Sequence, residues 1–106
     1  MKYTEIINLH EMLNSAEIPH TFEEAFGGYH ITYSQFGRRV CSVIEHGYSY
    51  GSSKDKLEIM GLLTPAESYN DSVAGWLTAD DVFNRIFAVH RPYEQTMKAL
   101  DLKIGG

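Results

Sequence analysis

Two runs of β-forming residues on either side of a four-residue turn constrain this chain more than any other feature. Tyr29-His30-Ile31-Thr32-Tyr33 alternates apolar with polar positions, and Val40-Cys41-Ser42-Val43-Ile44-Glu45-His46 follows after Ser34-Gln35-Phe36-Gly37. A period of two marks a strand with one buried face. So short a connection joins antiparallel neighbours. Gly27-Gly28, approached through Phe22-Glu23-Glu24-Ala25-Phe26, is the strongest turn signal and sets off the first run. A third strand is read at Lys56-Leu57-Glu58-Ile59-Met60. Leu57, Met60 and Leu63 also share a helical face, but Gly61 would weaken a helix and the preceding loop closes a hairpin.

Helical patterns flank the sheet. From Thr4 to about Ala16, with Thr4 as the expected N-cap, Ile6, Ile7, Leu9, His10 and Leu13 form a stripe near the 3.6 period, and Pro19 stops it. Thr78 caps a second helix, with Asp80 and Asp81 at the positive end of its dipole and Val82, Phe83, Ile86, Phe87 and His90 on its buried stripe. Pro92 is expected to kink or end it, with helical spacing resuming from Tyr93 to Leu100. Residues 101–106 are expected to form a frayed tail. Thr64 to Ser72 reads as exposed loop, and Val73 to Leu77 as a return to the core, with Trp76 anchoring the last helix. The expected fold is α+β: a small antiparallel three-stranded sheet covered by N- and C-terminal helices, in two layers.

With 106 residues the chain is expected to form a single domain, 1–106, around one modest core. Seven Tyr, five Phe and one Trp are too many aromatics for a disordered chain. No apolar run approaches the length that spans a bilayer, and the opening residues lack a signal peptide's apolar stretch. A lone cysteine, Cys41, forms no internal disulfide, so a reducing cytoplasm is the expected compartment. Nine basic against fourteen acidic side chains give a net charge of −5, which disfavours general nucleic-acid binding.

Chemical motifs are sparse. His10, His20, His30, His46 and His90 show no metal-ligand spacing, so no metal is expected. Cys41 sits in an apolar strand as a small core residue, and there is no nucleophile elbow. Glu23-Glu24 and Asp80-Asp81 serve a turn and a helix start. No catalytic residue, cofactor or enzymatic activity is expected. The loop Gly47-Tyr48-Ser49-Tyr50-Gly51-Ser52-Ser53-Lys54 is different: amides, hydroxyls and a lysine that suit phosphate lie beside two rings that suit a base. Arg38 and Arg39 would add guanidinium forks. The candidate ligand-binding set is therefore Arg38, Arg39, Tyr48, Tyr50, Ser52, Ser53 and Lys54. A tyrosine-rich loop equally suits protein contacts.

The strings Val40-Cys41-Ser42-Val43-Ile44-Glu45-His46, Leu57-Glu58-Ile59-Met60-Gly61-Leu62-Leu63-Thr64 and Asp71-Ser72-Val73-Ala74-Gly75-Trp76-Leu77-Thr78-Ala79-Asp80-Asp81-Val82-Phe83 resemble a family of small, uncharacterised proteins of phages and prophages of Gram-positive bacteria. The resemblance runs from the first helix to about Ile86 and assigns no functional residue. It implies an accessory protein that counters host defence inside the host cytoplasm. The first expectation is a non-enzymatic sponge that sequesters a nucleotide-derived immune signal, helped by homo-oligomerisation because one small subunit has little room for a deep pocket. The alternative is an inhibitor that binds a host effector protein, such as a CRISPR nuclease, through an acidic, tyrosine-bearing surface.

Overall fold

In a computed structural model that describes residues 3–105, with side chains through Asp101, the β-forming runs pair as a meander. The order is α1 (Thr4–Ser15), β1 (Thr21–Ala25), β2 (Gly28–Gln35), β3 (Arg38–Glu45), a 3-10 turn (Ser52–Lys54), β4 (Leu57–Met60), α2 (Pro65–Asn70), β5 (Val73–Leu77) and α3 (Ala79–Gly105). The strands form one antiparallel sheet in the order β1-β2-β3-β4-β5. The sheet thus has five strands, not the expected three. The two additional strands occupy its edges. β1 was hidden by Glu23 and Glu24, which only a partly solvated edge strand tolerates, and β5 by its shortness and Gly75.

Register lines one face with the core. Phe22, Ile31, Val43, Ile59 and Ala74 stand in a row across all five strands, and Tyr33 pairs with Cys41 beside them. α1 contributes Ile6, Leu9 and Leu13, and α3 contributes Val82 and Ile86. Both helices begin at the end of the sheet where β3 finishes and run toward the β2–β3 turn. The opposite face carries Glu23, Thr32, Glu58 and Met60, and neither long helix covers it. Cys41 lies in the core, where burial pushes its thiol up to about 12.

Three polar arrangements pin the helices. Tyr33 Oη lies 2.8 Å from His90 Nδ1 and accepts from Gln35 Nε2 at 2.8 Å, while the same Gln35 nitrogen donates to the Val89 carbonyl at 3.0 Å. The two histidines His10 and His20, unrelated in sequence spacing, meet at 2.8 Å, and the His10 ring stacks on Phe22 at 4.1 Å. Burial, and then the neighbouring His20, hold His10 below the usual imidazole range. Arg85 on α3 donates to both oxygens of Glu67 at 2.7 and 2.8 Å and to the Leu62 carbonyl at 3.1 Å.

Glu67 also belongs to α2, which replaces the loop expected at Thr64–Ser72. Thr64 and Glu67 form a reciprocal capping box, and Pro65 occupies the first helical turn, where its missing N–H costs nothing. Thr78 and Asp81 repeat the box at α3, as the expected cap requires. Pro92 does not end α3, because the carbonyl it leaves without a donor belongs to exposed Ala88, within reach of water. Helix therefore continues through 101–105, where a tail is expected; Gly106 lies outside the described residues. Among the described residues no helix is long and apolar enough to cross a membrane.

The Arg85 hydrogen bonds hold the Glu67 carboxyl down to about 2. Because this pKa is depressed, its contribution is present above the ordinary carboxylate value near 4.5 and is lost as pH falls toward 2. Glu67→Gln is expected to cost about 1–2 kcal/mol at neutral pH. Urea titrations at pH 7 and pH 3 check this: the gap between wild type and variant should narrow at the lower pH.

Candidate functional site

β3 ends at Glu45, and the chain then builds the segment that carries five of the seven residues picked from sequence. Its backbone donors are largely committed internally. Ser49 N–H donates to the His46 carbonyl at 3.1 Å, Lys54 N–H and Lys56 N–H both donate to the Gly51 carbonyl at 3.0 and 2.9 Å, and Asp55 N–H donates to the Ser52 carbonyl at 3.0 Å. Tyr48 N–H donates to His46 Nδ1 at 3.1 Å and Tyr50 N–H to Glu58 Oε1 at 2.9 Å. Gly51, at φ +97°, and Asp55, at φ +54°, give the left-handed corners that close the 3-10 turn. The result is a folded knob rather than an open phosphate cradle.

Side chains divide accordingly. Ser52 is buried, Ser53 and Lys54 are exposed, and the rings point outward, Tyr48 86 % and Tyr50 57 % exposed. Arg38 and Arg39 are also exposed but open β3 at its other end, where Arg39 reaches Met60 Sδ. The eight residues of β3 span about 24–27 Å. Within one subunit the arginines therefore do not join the loop. The expectation that Arg38 and Arg39 add their guanidinium forks to this loop is not met within one subunit, because strand direction sends the β2–β3 turn beside them and this loop to opposite ends of the sheet.

The structure adds aromatic residues that the sequence assigned elsewhere. Trp76, expected as the core anchor of the last helix, is 59 % exposed. Its backbone takes φ +61° at an irregularity in the β4–β5 pairing, which turns the side chain out of the alternation, and the core position passes to Leu77. Trp76 N–H donates to the Tyr50 carbonyl at 3.4 Å, and Gly75 leaves no room for a Cβ under Tyr50. Phe26, in the β1–β2 turn at the same end of the sheet, is 78 % exposed and meets the His46 ring edge-on at 5.3 Å; His46 in turn meets Tyr48 at 6.1 Å. Phe26, Tyr48, Tyr50 and Trp76 thus form a discontinuous aromatic band across two connections of the meander and the irregular edge strand β5. A glycine before the tryptophan and a turn beside Phe26 were the only sequence signals for it.

Two concave features stand apart from the β3–β4 loop. A groove of about 710 Å³ between α1 and the start of α3 is lined by Glu5, Glu11, Met12, Asp80 and Phe83 among others, and a hollow of about 300 Å³ sits under the β1–β2 turn around Phe26. Neither is lined by any of the seven candidate residues. Among the described residues no group of three or more His, Cys, Asp or Glu is placed to hold a metal ion. No protein family, curated protein or solved structure compared with the chain matches it.

The exposure of Trp76 makes a sharp expectation. Trp76→Gly removes the ring and relieves a left-handed conformation that costs a non-glycine residue about 1 kcal/mol, so stability should stay within about 1 kcal/mol of wild type. A core anchor would lose about 3–5 kcal/mol. Chemical denaturation followed by circular dichroism distinguishes the two.

Proposed function

We propose that this chain is a non-enzymatic binding protein that acts on a protein partner through the aromatic band at the β3 end of the sheet. One observation carries the reading: Tyr48, Tyr50, Trp76 and Phe26 are all more than half exposed at one end of the sheet, with the His46 ring between Phe26 and Tyr48 and a backbone hydrogen bond joining Trp76 to Tyr50. Large rings are kept in water at a cost, and tyrosine and tryptophan are the residues that anchor protein interfaces. A chain of net charge −5 favours a partner with a basic contact surface. With the phage resemblance, the setting we propose is a counter-defence accessory protein whose partner is a host effector.

A nucleotide-sequestering role needs a second subunit, since only Arg38 and Arg39 of another copy could reach Tyr48, Tyr50, Ser53 and Lys54. It also has to manage without Ser52, whose side chain is buried.

Two measurements decide between them. Pull-down from defended host lysate should retain one effector on wild-type protein and lose it with Tyr48→Ala/Trp76→Ala, while both proteins keep the same unfolding midpoint. A thermal-shift series against cyclic dinucleotides and ADP-ribose derivatives should give no response. Saturable stabilisation following RT ln(1 + [L]/Kd) would overturn the protein reading in favour of sequestration. Equal retention by wild type and the double variant would overturn the aromatic band as the contact surface.

A further inference from the structure

A second feature of the same loop concerns its attachment to the rest of the protein. Glu45, the last residue of β3, is completely buried, and it points inward beneath the start of α1. Its Oε1 accepts the Ile6 N–H at 3.2 Å. Asp55, at the far end of the loop, accepts the Glu5 N–H at 3.1 Å and the Thr4 hydroxyl. Two carboxyl groups therefore cap one helix N-terminus, one from each end of the segment that carries Tyr48 and Tyr50. No side chain of α1 caps it instead: Tyr3 precedes the helix, and Thr4, the expected N-cap, is already its first residue.

Two carboxylates at one helix N-terminus, Glu45 buried and Asp55 half-buried, repel. Glu45 Oε2 is buried and receives no donor, which would be an expensive state for a charged oxygen. A carboxyl proton would remove both problems: it neutralises one of the two charges, and it lets the orphaned Oε2 act as a donor toward Asp55, which caps the next amide of the same helix end. We propose that the Glu45–Asp55 pair is a pH-sensitive latch: holding one proton between them, the two residues lock the β3–β4 loop onto the N-terminus of α1, and loss of that proton frees the loop.

The surroundings favour such a proton at neutral pH. Burial pushes Glu45 up to about 8, with Asp55 and then Glu5 adding to the rise and the Ile6 N–H opposing it. Burial alone would raise Asp55 as well, but hydrogen bonds from Glu45, Thr4 and the Glu5 N–H outweigh it and hold Asp55 below the usual carboxylate range. Each element packed around the pair supplies a defined group. α1 presents its N-terminal dipole and Glu5, the loop end presents Asp55 and Lys56, and Lys56 Nζ lies 3.9 Å from Glu5. From α3 the Ala79 N–H donates to Glu5 Oε2 at 3.4 Å, and on β2 the residue opposite Glu45 is Tyr29. Lys56 is thus engaged with Glu5 and leaves the inner pair to share a proton.

The sign follows from linkage. A carboxyl raised in the folded state binds more protons than the unfolded chain between about 4.5 and about 8, so the latch is strongest at the low end of that window and is lost as pH rises through about 8. At higher pH the charge at Glu45 must be accommodated, and movement of Asp55 with its loop is the least costly relief, because Asp55 stands in a left-handed corner at the loop's end.

This inference rests on the proposed function only for its consequence, since an unlatched loop would present Tyr48 and Tyr50 differently. The latch itself is read without any partner. Trp76 N–H is bonded to the Tyr50 carbonyl, so Trp76 fluorescence reports the loop. Between pH 6 and 9.5 the wild-type signal should titrate with one proton and a midpoint near 8, far-ultraviolet circular dichroism should stay constant, and amide exchange protection at Glu5, Ile6 and 52–56 should fall at the alkaline end. Glu45→Gln, which mimics the protonated acid, should abolish the titration and stay latched throughout. Asp55→Asn removes the like charge and should move the midpoint down by a unit or more, so the idea stays testable if Glu45→Gln does not fold. A flat wild-type signal, an unchanged titration in Glu45→Gln, an unmoved midpoint in Asp55→Asn, or loss of the whole circular dichroism signal with the fluorescence change would each overturn it.

Discussion

A sheet of five strands has two faces, and this chain has helix enough to cover one. Everything else follows from that allocation. The covered face collects the zero-exposure row of Ile31, Val43 and Ile59 and the inner stripes of α1 and α3. The uncovered face and the sheet's ends take the polar and aromatic residues that a core this small has no room for. The polar groups that do enter the covered side, Tyr33, His90 and Glu45, are each tied to a helix, which fixes where that helix lies.

The connection between β3 and β4 is where fold and proposed function meet. Its serines and glycines stitch the segment into a knob, its tyrosines face water, and its two ends are held against the start of α1 by carboxyl groups. The proposed contact surface would be rigid where the backbone bonds close and, through the proposed latch, adjustable at one point, the acid pair. Its chemistry is that of hydroxyl-tipped rings on an acidic protein, better matched to a protein surface than to a phosphate, because so many of its amides already have partners.

Much of the architecture was legible because it depends on residues close together in the chain. The Tyr29–Tyr33 alternation, the β-forming run Val40–His46, the α1 stripe and the Thr78 cap are local signals, and each has its element. α2 was equally local: Thr64, Pro65 and Glu67 spell a capping box with proline in the first turn, but polar composition drew the reading toward loop. β1 and β5 were hidden for another reason. An edge strand needs only part of one face buried, so Glu23-Glu24 and Gly75 are acceptable there, and only pairing with β2 and β4 reveals it.

The sequence alone determined that the chain has an apolar pattern sufficient for one α+β core, an acidic net charge, no metal-ligand spacing and a tyrosine-bearing loop after its second β-forming run. Tertiary structure decided what those residues face. It separated Arg38 and Arg39 from the loop by the length of a strand, turned Trp76 outward through one left-handed residue, paired His10 with His20, and brought Glu45 and Asp55 to a single helix end. The physical reason is common to all four. Composition and period state how much of each element is buried, whereas strand direction and register, set by contacts distant in the chain, state which side chains meet.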